Sequence, residues 1–124
     1  MLDSGAVSLL AERSGRSAAL LTVMRRTHPW PPVVPSSVLV ECLQGDVRRD
    51  AGTNRFLKGC KIEVDLPLAR ARRAAELRRR AGRGSAVDAI VVAAAEPDGT
   101  VYTGDEADIR ALAAHAIRVS VRAV

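Results

Sequence analysis

Short apolar segments alternate with helical patterns along the whole chain, and this alternation restricts the possible folds more than any other feature. Strand-like segments are predicted at Met1–Leu2, Val33–Val34, Lys61–Leu66, Thr100–Tyr102 and Ile117–Val124. Helical spacing, with Pro and Gly as breakers, predicts helices between them at Gly5–Glu12, Ser17–Arg26, Pro35–Gln44, Thr53–Cys60, Leu68–Ala81, Ala86–Glu96 and Asp105–His115. Strands separated by helices favour an α/β fold with a mainly parallel central sheet flanked by helices.

The chain has 124 residues, which is the size of one typical domain, so we expect a single domain over residues 1–124. The alternation in Lys61–Leu66 predicts that Ile62, Val64 and Leu66 point inward. The almost wholly apolar segment Ala86–Glu96 predicts a buried helix.

Composition excludes several classes of protein. With 48% hydrophobic and 27% charged residues, the chain is not wholly disordered. Its longest apolar run, Ala89–Ala95, is far shorter than the roughly 20 residues of a membrane span. Met1–Gly5 has no basic segment before its apolar residues, so we expect no signal peptide and a cytoplasmic location.

The cysteines and histidines do not favour disulfide, zinc or Ser-His-Asp chemistry. Cys42 and Cys60 form no CxxC pair, and we expect two reduced, inert thiols. His28 and His115 lack any zinc-binding spacing, and the chain has no GxSxG nucleophile motif.

The charge favours polyanionic partners. The net charge is +5, and all 19 basic residues except Lys58 and Lys61 are arginines. RNA and DNA lead the partners that a basic surface attracts. Aromatic residues are too few for a stacking platform, so phosphate contacts must dominate any binding of nucleic acid.

Arginines are concentrated between residues 70 and 83. One interpretation is a solvated helix, and the other is a wall that contacts phosphates, for which we single out Arg72, Arg73, Arg78 and Arg79. Arg48 and Arg49 are secondary candidates.

Four acids stand at unusual places: Asp3 and Asp105 follow predicted strands, whereas Glu41 and Asp88 interrupt apolar segments. Sites in parallel sheets lie at the carboxyl ends of strands. Converging carboxylates repel one another, and a hard divalent cation removes that repulsion.

Each acid also has a simpler interpretation. Asp88 follows Ser85 at the spacing of a helix-capping pair. Asp105 and Asp108 suit the start of a helix. Glu41 falls on the helix side of Ser37 and Gln44, away from most apolar residues, and so could face water, and Asp3 could begin a turn.

Four segments, LDSGAVSLLA, PSSVLVECLQG, SAVDAIVVAAA and VYTGDEADIRAL, occur in an order that resembles the PIN-domain nucleases, and among them the VapC-type toxins of bacterial toxin–antitoxin pairs. The resemblance covers essentially the whole chain. It implies a PIN-like α/β domain and a Mg²⁺- or Mn²⁺-dependent endoribonuclease. It also implies a homodimer and a cognate VapB-like antitoxin whose tail occupies the active site.

The resemblance further implies roles for individual residues. Asp3, Glu41, Asp88 and Asp105 become the metal-binding acids, which act on RNA through metal-bound water. Asp108 becomes a candidate fifth acid at the rim. Ser4 and Thr103 match positions of small hydroxyls that orient a carboxylate or water.

One departure concerns the start of the chain. Family members usually carry several apolar residues before the first acid, whereas only Met1 and Leu2 precede Asp3 here. We therefore expect either a clipped first strand or a start codon upstream of Met1. Two other functions stay open: a housekeeping PIN nuclease, and a catalytically silent RNA-binding protein.

Overall fold

The computed structural model describes all residues, Met1–Val124, as a mixed α/β arrangement of seven helices and four short strands. The helices are α1 (Ser4–Ala11), α2 (Gly15–Thr27), α3 (Leu39–Cys42), α4 (Ala51–Leu57), α5 (Leu68–Ala81), α6 (Ala86–Ala95) and α7 (Glu106–Ala113). The strands are β1 (Val33–Pro35), β2 (Lys61–Glu63), β3 (Thr100–Thr103) and β4 (Ser120–Ala123). A 3₁₀ turn, Ser36–Val38, leads from β1 into α3.

All strand pairing is parallel, but it forms two separate two-stranded sheets, β1–β2 and β3–β4. The Met1–Asp3 segment lies between them. The Leu2 amide donates to the Val33 carbonyl at 2.9 Å, and the Tyr102 amide donates to the Met1 carbonyl at 2.9 Å. The parallel α/β prediction is therefore confirmed. The prediction of a single central sheet is wrong, because the first segment is too short to form a strand. Asp3 already caps α1, and only Leu2 is left to form a β-bridge.

The core lies between the strands and helix α6. Val91 and Val92 of α6 are fully buried, as predicted for this apolar segment. Around them the largest buried side chains come from most other elements: Leu2, Val7, Leu10, Val34, Val38, Leu77, Val101, Ile109 and Leu112. Helix α6 contacts α5, α7, β1 and β3, so it packs at the centre of the fold.

Strand β2 is shorter than predicted. It ends at Glu63, and the expected inward orientation of Val64 and Leu66 is wrong, because these residues are 70% and 46% exposed. The reason is the partner strand: β1 ends at Pro35, where the 3₁₀ turn begins, so no ladder remains beyond Glu63.

Other boundaries shift by a few residues. The predicted helix Pro35–Gln44 divides into the 3₁₀ turn and the short α3. Strand β4 begins at Ser120 and not at Ile117, because the Ile117 amide donates to the Glu96 carboxylate at 2.7 Å.

No helix combines the length and the apolar character that crossing a membrane requires. Cys42 and Cys60 are both free, and burial raises the pKa of Cys60 to about 11, which keeps this thiol protonated at neutral pH.

Candidate functional site

A polar cleft of about 400 Å³ brings the sequence-predicted acids together. No hydrophobic residue lines it. Its lining consists of Asp3, Ser4, Gly5, Glu41, Ser85, Asp88, Gly104, Asp105 and Asp108. The four acids and the candidate fifth acid thus share one surface, although they come from four different parts of the chain.

The cleft forms where the N-terminal ends of three helices meet. Asp3 is the N-cap of α1, Asp105 is the N-cap of α7, and Asp88 lies in the first turn of α6. Helix N-termini carry unpaired amides and partial positive charge, which stabilise carboxylates placed there. The fold can therefore hold several acids in one cleft at a tolerable electrostatic cost.

Asp3 is the most constrained of these acids. Its side chain is nearly buried, and Oδ1 accepts hydrogen bonds from the amides of Ala6 at 2.7 Å and Gly104 at 3.3 Å. Its second oxygen, Oδ2, makes no hydrogen bond within the protein. One oxygen therefore fixes the carboxylate, and the other is free for a ligand.

Two glycines allow this arrangement. A Cβ atom on Gly5 would lie 2.8 Å from the Gly104 Cα, closer than real side chains approach backbone. Without side chains at both positions, the start of α1 can lie directly against the end of β3. We did not predict the pair, although each glycine stands within two residues of an acid, which is a usable signal in the sequence.

Asp88 forms the capping box that the Ser85 spacing predicts. The Ser85 amide donates to Asp88 Oδ2 at 2.8 Å, and the Asp88 amide donates to Ser85 Oγ at 3.0 Å. Asp88 Oδ1 stays free of protein partners. The capping interpretation and the cleft interpretation are thus both realised by the same side chain.

Asp105 is held through Thr103. The Asp105 amide donates to the buried Thr103 Oγ1 at 2.8 Å, and Asp105 Oδ1 accepts from the Asp108 amide at 3.2 Å. Thr103 lies behind the cleft and orients the backbone of Asp105, whereas Ser4 lines the cleft itself. Glu41 of α3 is exposed, and its carboxylate makes no hydrogen bond.

The donor set suits a hard divalent cation in type. Asp3, Asp88 and Asp105 each retain one carboxylate oxygen without a protein partner, and such oxygens are the ligands that Mg²⁺ and Mn²⁺ prefer. No three acidic, histidine or cysteine side chains already stand close enough to form a metal-binding group. The residues therefore suit a hard cation in chemical type, but their side chains as placed do not form a ready metal site.

The four arginines that we singled out differ in their surroundings. Arg72 and Arg79 are exposed and make no ion pair, and Arg78 is exposed with one hydrogen bond, from Nε to the Gly84 carbonyl at 3.3 Å. Arg73 instead directs its guanidinium inward, to Glu96, Glu76 and the His115 carbonyl. Arg73 is therefore a structural residue in this arrangement, and the other three stay candidates for phosphate contacts.

The connection after α3 holds the secondary candidates. The Arg48 and Arg49 amides donate to the Asp46 carboxylate at 3.0 and 2.8 Å. These two hydrogen bonds order the turn, and both arginine side chains are exposed on it.

No protein-family model matches this chain, and no curated protein matches it significantly.

Proposed function

We propose that this protein is a PIN-like, Mg²⁺- or Mn²⁺-dependent endoribonuclease, and that it is the toxin of a toxin–antitoxin pair. In this proposal it acts in the cytoplasm as a homodimer and is held inactive by a VapB-like antitoxin. The support comes from the order of the four acid-bearing segments and from the place of those acids in the fold.

One observation carries the nuclease proposal. Asp3, Glu41, Asp88 and Asp105, which are far apart in sequence, line one cleft without a single apolar side chain. A cleft of this composition attracts cations and repels bare polyanions. A metal-dependent nuclease uses the first property, and a bound cation would offset the second, because it would join the carboxylates to the phosphate.

Backbone amides and one hydroxyl position the acids of the cleft. The Ala6 and Gly104 amides hold Asp3, the Ser85 amide holds Asp88, and Thr103 holds the backbone of Asp105. These contacts fix the acids and leave one oxygen of each for a ligand. When bound, Mg²⁺ or Mn²⁺ supplies Lewis-acid activation of the phosphate and of water.

A catalytically silent RNA-binding protein is the second candidate, and a specific observation favours it. Asp3, Asp88 and Asp105 each accept a backbone hydrogen bond at a helix start. Helix capping alone is therefore enough to explain an acid at each of these positions. The two candidates differ in whether the charge of these acids matters beyond capping.

Cleavage of RNA by the purified protein separates the candidates. We expect cleavage with Mg²⁺ or Mn²⁺ and none with EDTA. We expect Asp88→Asn to lower the rate by about two orders of magnitude or more, since metal catalysis supplies several kcal/mol. Asparagine keeps an acceptor oxygen for the Ser85 amide, so the cap persists.

Asp65→Asn is the matched control, because Asp65 is exposed, lies outside the cleft and makes no ion pair. Equal activity of Asp88→Asn and Asp65→Asn would contradict the nuclease proposal. RNA binding without any cleavage would favour the silent protein.

Expression in cells tests the toxin role. Induction of the protein alone should stop growth, and co-expression with the small open reading frame next to its gene should restore growth. A harmless active nuclease would favour the housekeeping alternative.

A further inference from the structure

Arg83 is the one basic residue that touches an acid of the cleft. Its Nε and Nη2 atoms both donate to Asp108 Oδ1, and Nε lies 2.5 Å from that oxygen. The other ion pairs of the protein, such as Arg110 with Glu106, lie outside the cleft lining. Arg83 therefore stands at the rim of a cleft lined by five carboxylates.

The backbone around Arg83 fixes this place. Gly82 and Gly84 on either side adopt left-handed φ values of +66° and +89°. A Cβ atom on Gly84 would lie 2.7 Å from Leu112 Cδ1, so the loop presses directly onto α7. This contact places the loop between α5 and α6 against the last turn of α7, and from there the Arg83 side chain reaches Asp108, one helical turn before Leu112.

The Arg83 side chain is held but not enclosed. It is 55% exposed, and the whole contact uses a single oxygen of Asp108. Nη1 makes no hydrogen bond within the protein. An exposed pair of this kind is weak, because water screens it, and a better acceptor can displace the carboxylate.

We propose that Arg83 binds a phosphate of the polyanionic substrate at the rim of the cleft, and that the phosphate displaces Asp108 from the guanidinium. This role rests on the nuclease function proposed above: by binding a phosphate, Arg83 holds RNA at the entrance of the acidic cleft. Five carboxylates repel a polyanion, and a cation at the rim offsets this repulsion. The planar guanidinium can donate two parallel hydrogen bonds to one phosphate.

Binding of a fluorescent single-stranded RNA oligonucleotide tests the proposal. The measurement uses the full chain with Asp88→Asn, so that cleavage does not interfere, at a series of salt concentrations. We expect Arg83→Gln to weaken binding about tenfold, as loss of a charge-assisted hydrogen bond would. The slope of log K against log salt should fall by about 0.7, the value of one phosphate contact on a single strand.

Asp108→Asn distinguishes phosphate binding by Arg83 from a purely structural role of the Arg83–Asp108 pair. If Arg83 only tethers α7, both substitutions break the same tether and change RNA binding in the same direction. If Arg83 binds phosphate, Asp108→Asn frees the guanidinium and tightens RNA binding, whereas Arg83→Gln weakens it. In the variant with both Arg83→Gln and Asp108→Asn, the gain in RNA affinity from Asp108→Asn should shrink, because no guanidinium is left to be freed.

Arg26→Gln is the matched control, since Arg26 is exposed and unpaired on α2 and does not line the cleft. Equal effects of Arg26→Gln and Arg83→Gln would indicate general charge attraction and overturn the proposal, and so would an unchanged salt slope in Arg83→Gln. Either result leaves the nuclease function standing if the parent chain cleaves RNA. A parent chain that neither binds nor cleaves RNA would overturn both proposals.

Discussion

Asp3 combines two roles in one side chain: it caps helix α1 and lines the cleft. Its Oδ1 atom serves the cap, through the Ala6 amide, and its Oδ2 atom has no partner in the protein. A substitution that keeps an acceptor but removes the charge can therefore separate the two roles.

We expect Asp3→Asn to change the free energy of unfolding by less than about 0.5 kcal/mol, since Asn and Asp are similar N-caps. RNA cleavage should nevertheless be lost. Asp3→Ala should cost about 1 kcal/mol, the usual price of a missing cap, and should also abolish cleavage. Urea denaturation and a cleavage assay on the same preparations measure the two effects. If cleavage persisted in Asp3→Asn, the charge of Asp3 would have no catalytic role.

Sequence reasoning performs best where the signal is local. The Ser85–Asp88 capping pair was predictable, because both partners lie within one helical turn. The inward contacts of Arg73 were not, because Glu96 and His115 are 23 and 42 positions away along the chain. Nothing local distinguishes Arg73 from Arg72 beside it.

At the scale of elements, a buried carboxylate organises the connection between α3 and α4. Asp50 is 6% exposed and accepts from the amides of Gln44, Gly45 and Asp46 at 2.9, 2.9 and 3.1 Å. These three residues follow α3, the helix that carries Glu41. Asp50 therefore orders the connection that begins directly after α3.

Asp50→Ala should lower the free energy of unfolding by about 1–3 kcal/mol, because three amides lose their acceptor in a partly buried place. Asp46→Ala is the control: its carboxylate also accepts from two amides, but it is exposed, and water can replace it. We expect that variant to cost less than half as much. Equal losses in urea denaturation would show that burial of Asp50 adds nothing.

The predictability of an element depends on whether its boundaries are set locally. Helix α5 was predicted at its observed bounds, Leu68–Ala81, because Pro67 precedes it and Gly82 ends it in a left-handed conformation. Strand β2 was predicted too long, because the length of a strand depends on its partner, and β1 offers only three residues.

At the scale of the molecule, the acids converge because α1, α3 and α7 follow parallel strand segments, and α6, which follows α5, places Asp88 beside them. The closeness of Asp3 and Asp105 followed from the sequence, because both acids stand directly after predicted strands that alternate with helices. The two-stranded sheets and the Gly5–Gly104 contact did not follow, because they depend on how segments that are distant along the chain meet.

Arg73 and Glu96 join distant parts of the molecule. Arg73 of α5 donates to Glu96 at the end of α6 at 2.7 and 2.9 Å, and Glu96 Oε1 also accepts from the Ile117 amide ahead of β4. The Arg73 hydrogen bonds, and then the Ile117 amide, hold the pKa of Glu96 below its ordinary value, although burial opposes them. Because the pKa is lower in the folded state, the ionised carboxylate stabilises the fold.

This shift predicts how stability depends on pH. The contribution of Glu96 is complete above its unfolded pKa of about 4.3 and is lost as the pH falls through the lower, folded pKa. We expect Glu96→Gln to lower the free energy of unfolding by about 1–3 kcal/mol at pH 7. The difference from the parent should shrink steadily between pH 5 and the folded pKa, since Glu96 of the parent is then protonated as well.

Urea denaturation of both proteins at pH 7, 5 and 3 measures this difference. Glu76, whose pKa Arg73 also lowers, is present in both proteins, so both contain its titration. Glu12→Gln is the control, because Glu12 is exposed and makes no ion pair, and it should have little effect at any pH. A loss in Glu96→Gln that stayed constant from pH 7 to pH 3 would assign the stabilisation to packing. In that case the junction between α5, α6 and β4 would not depend on the charge of Glu96.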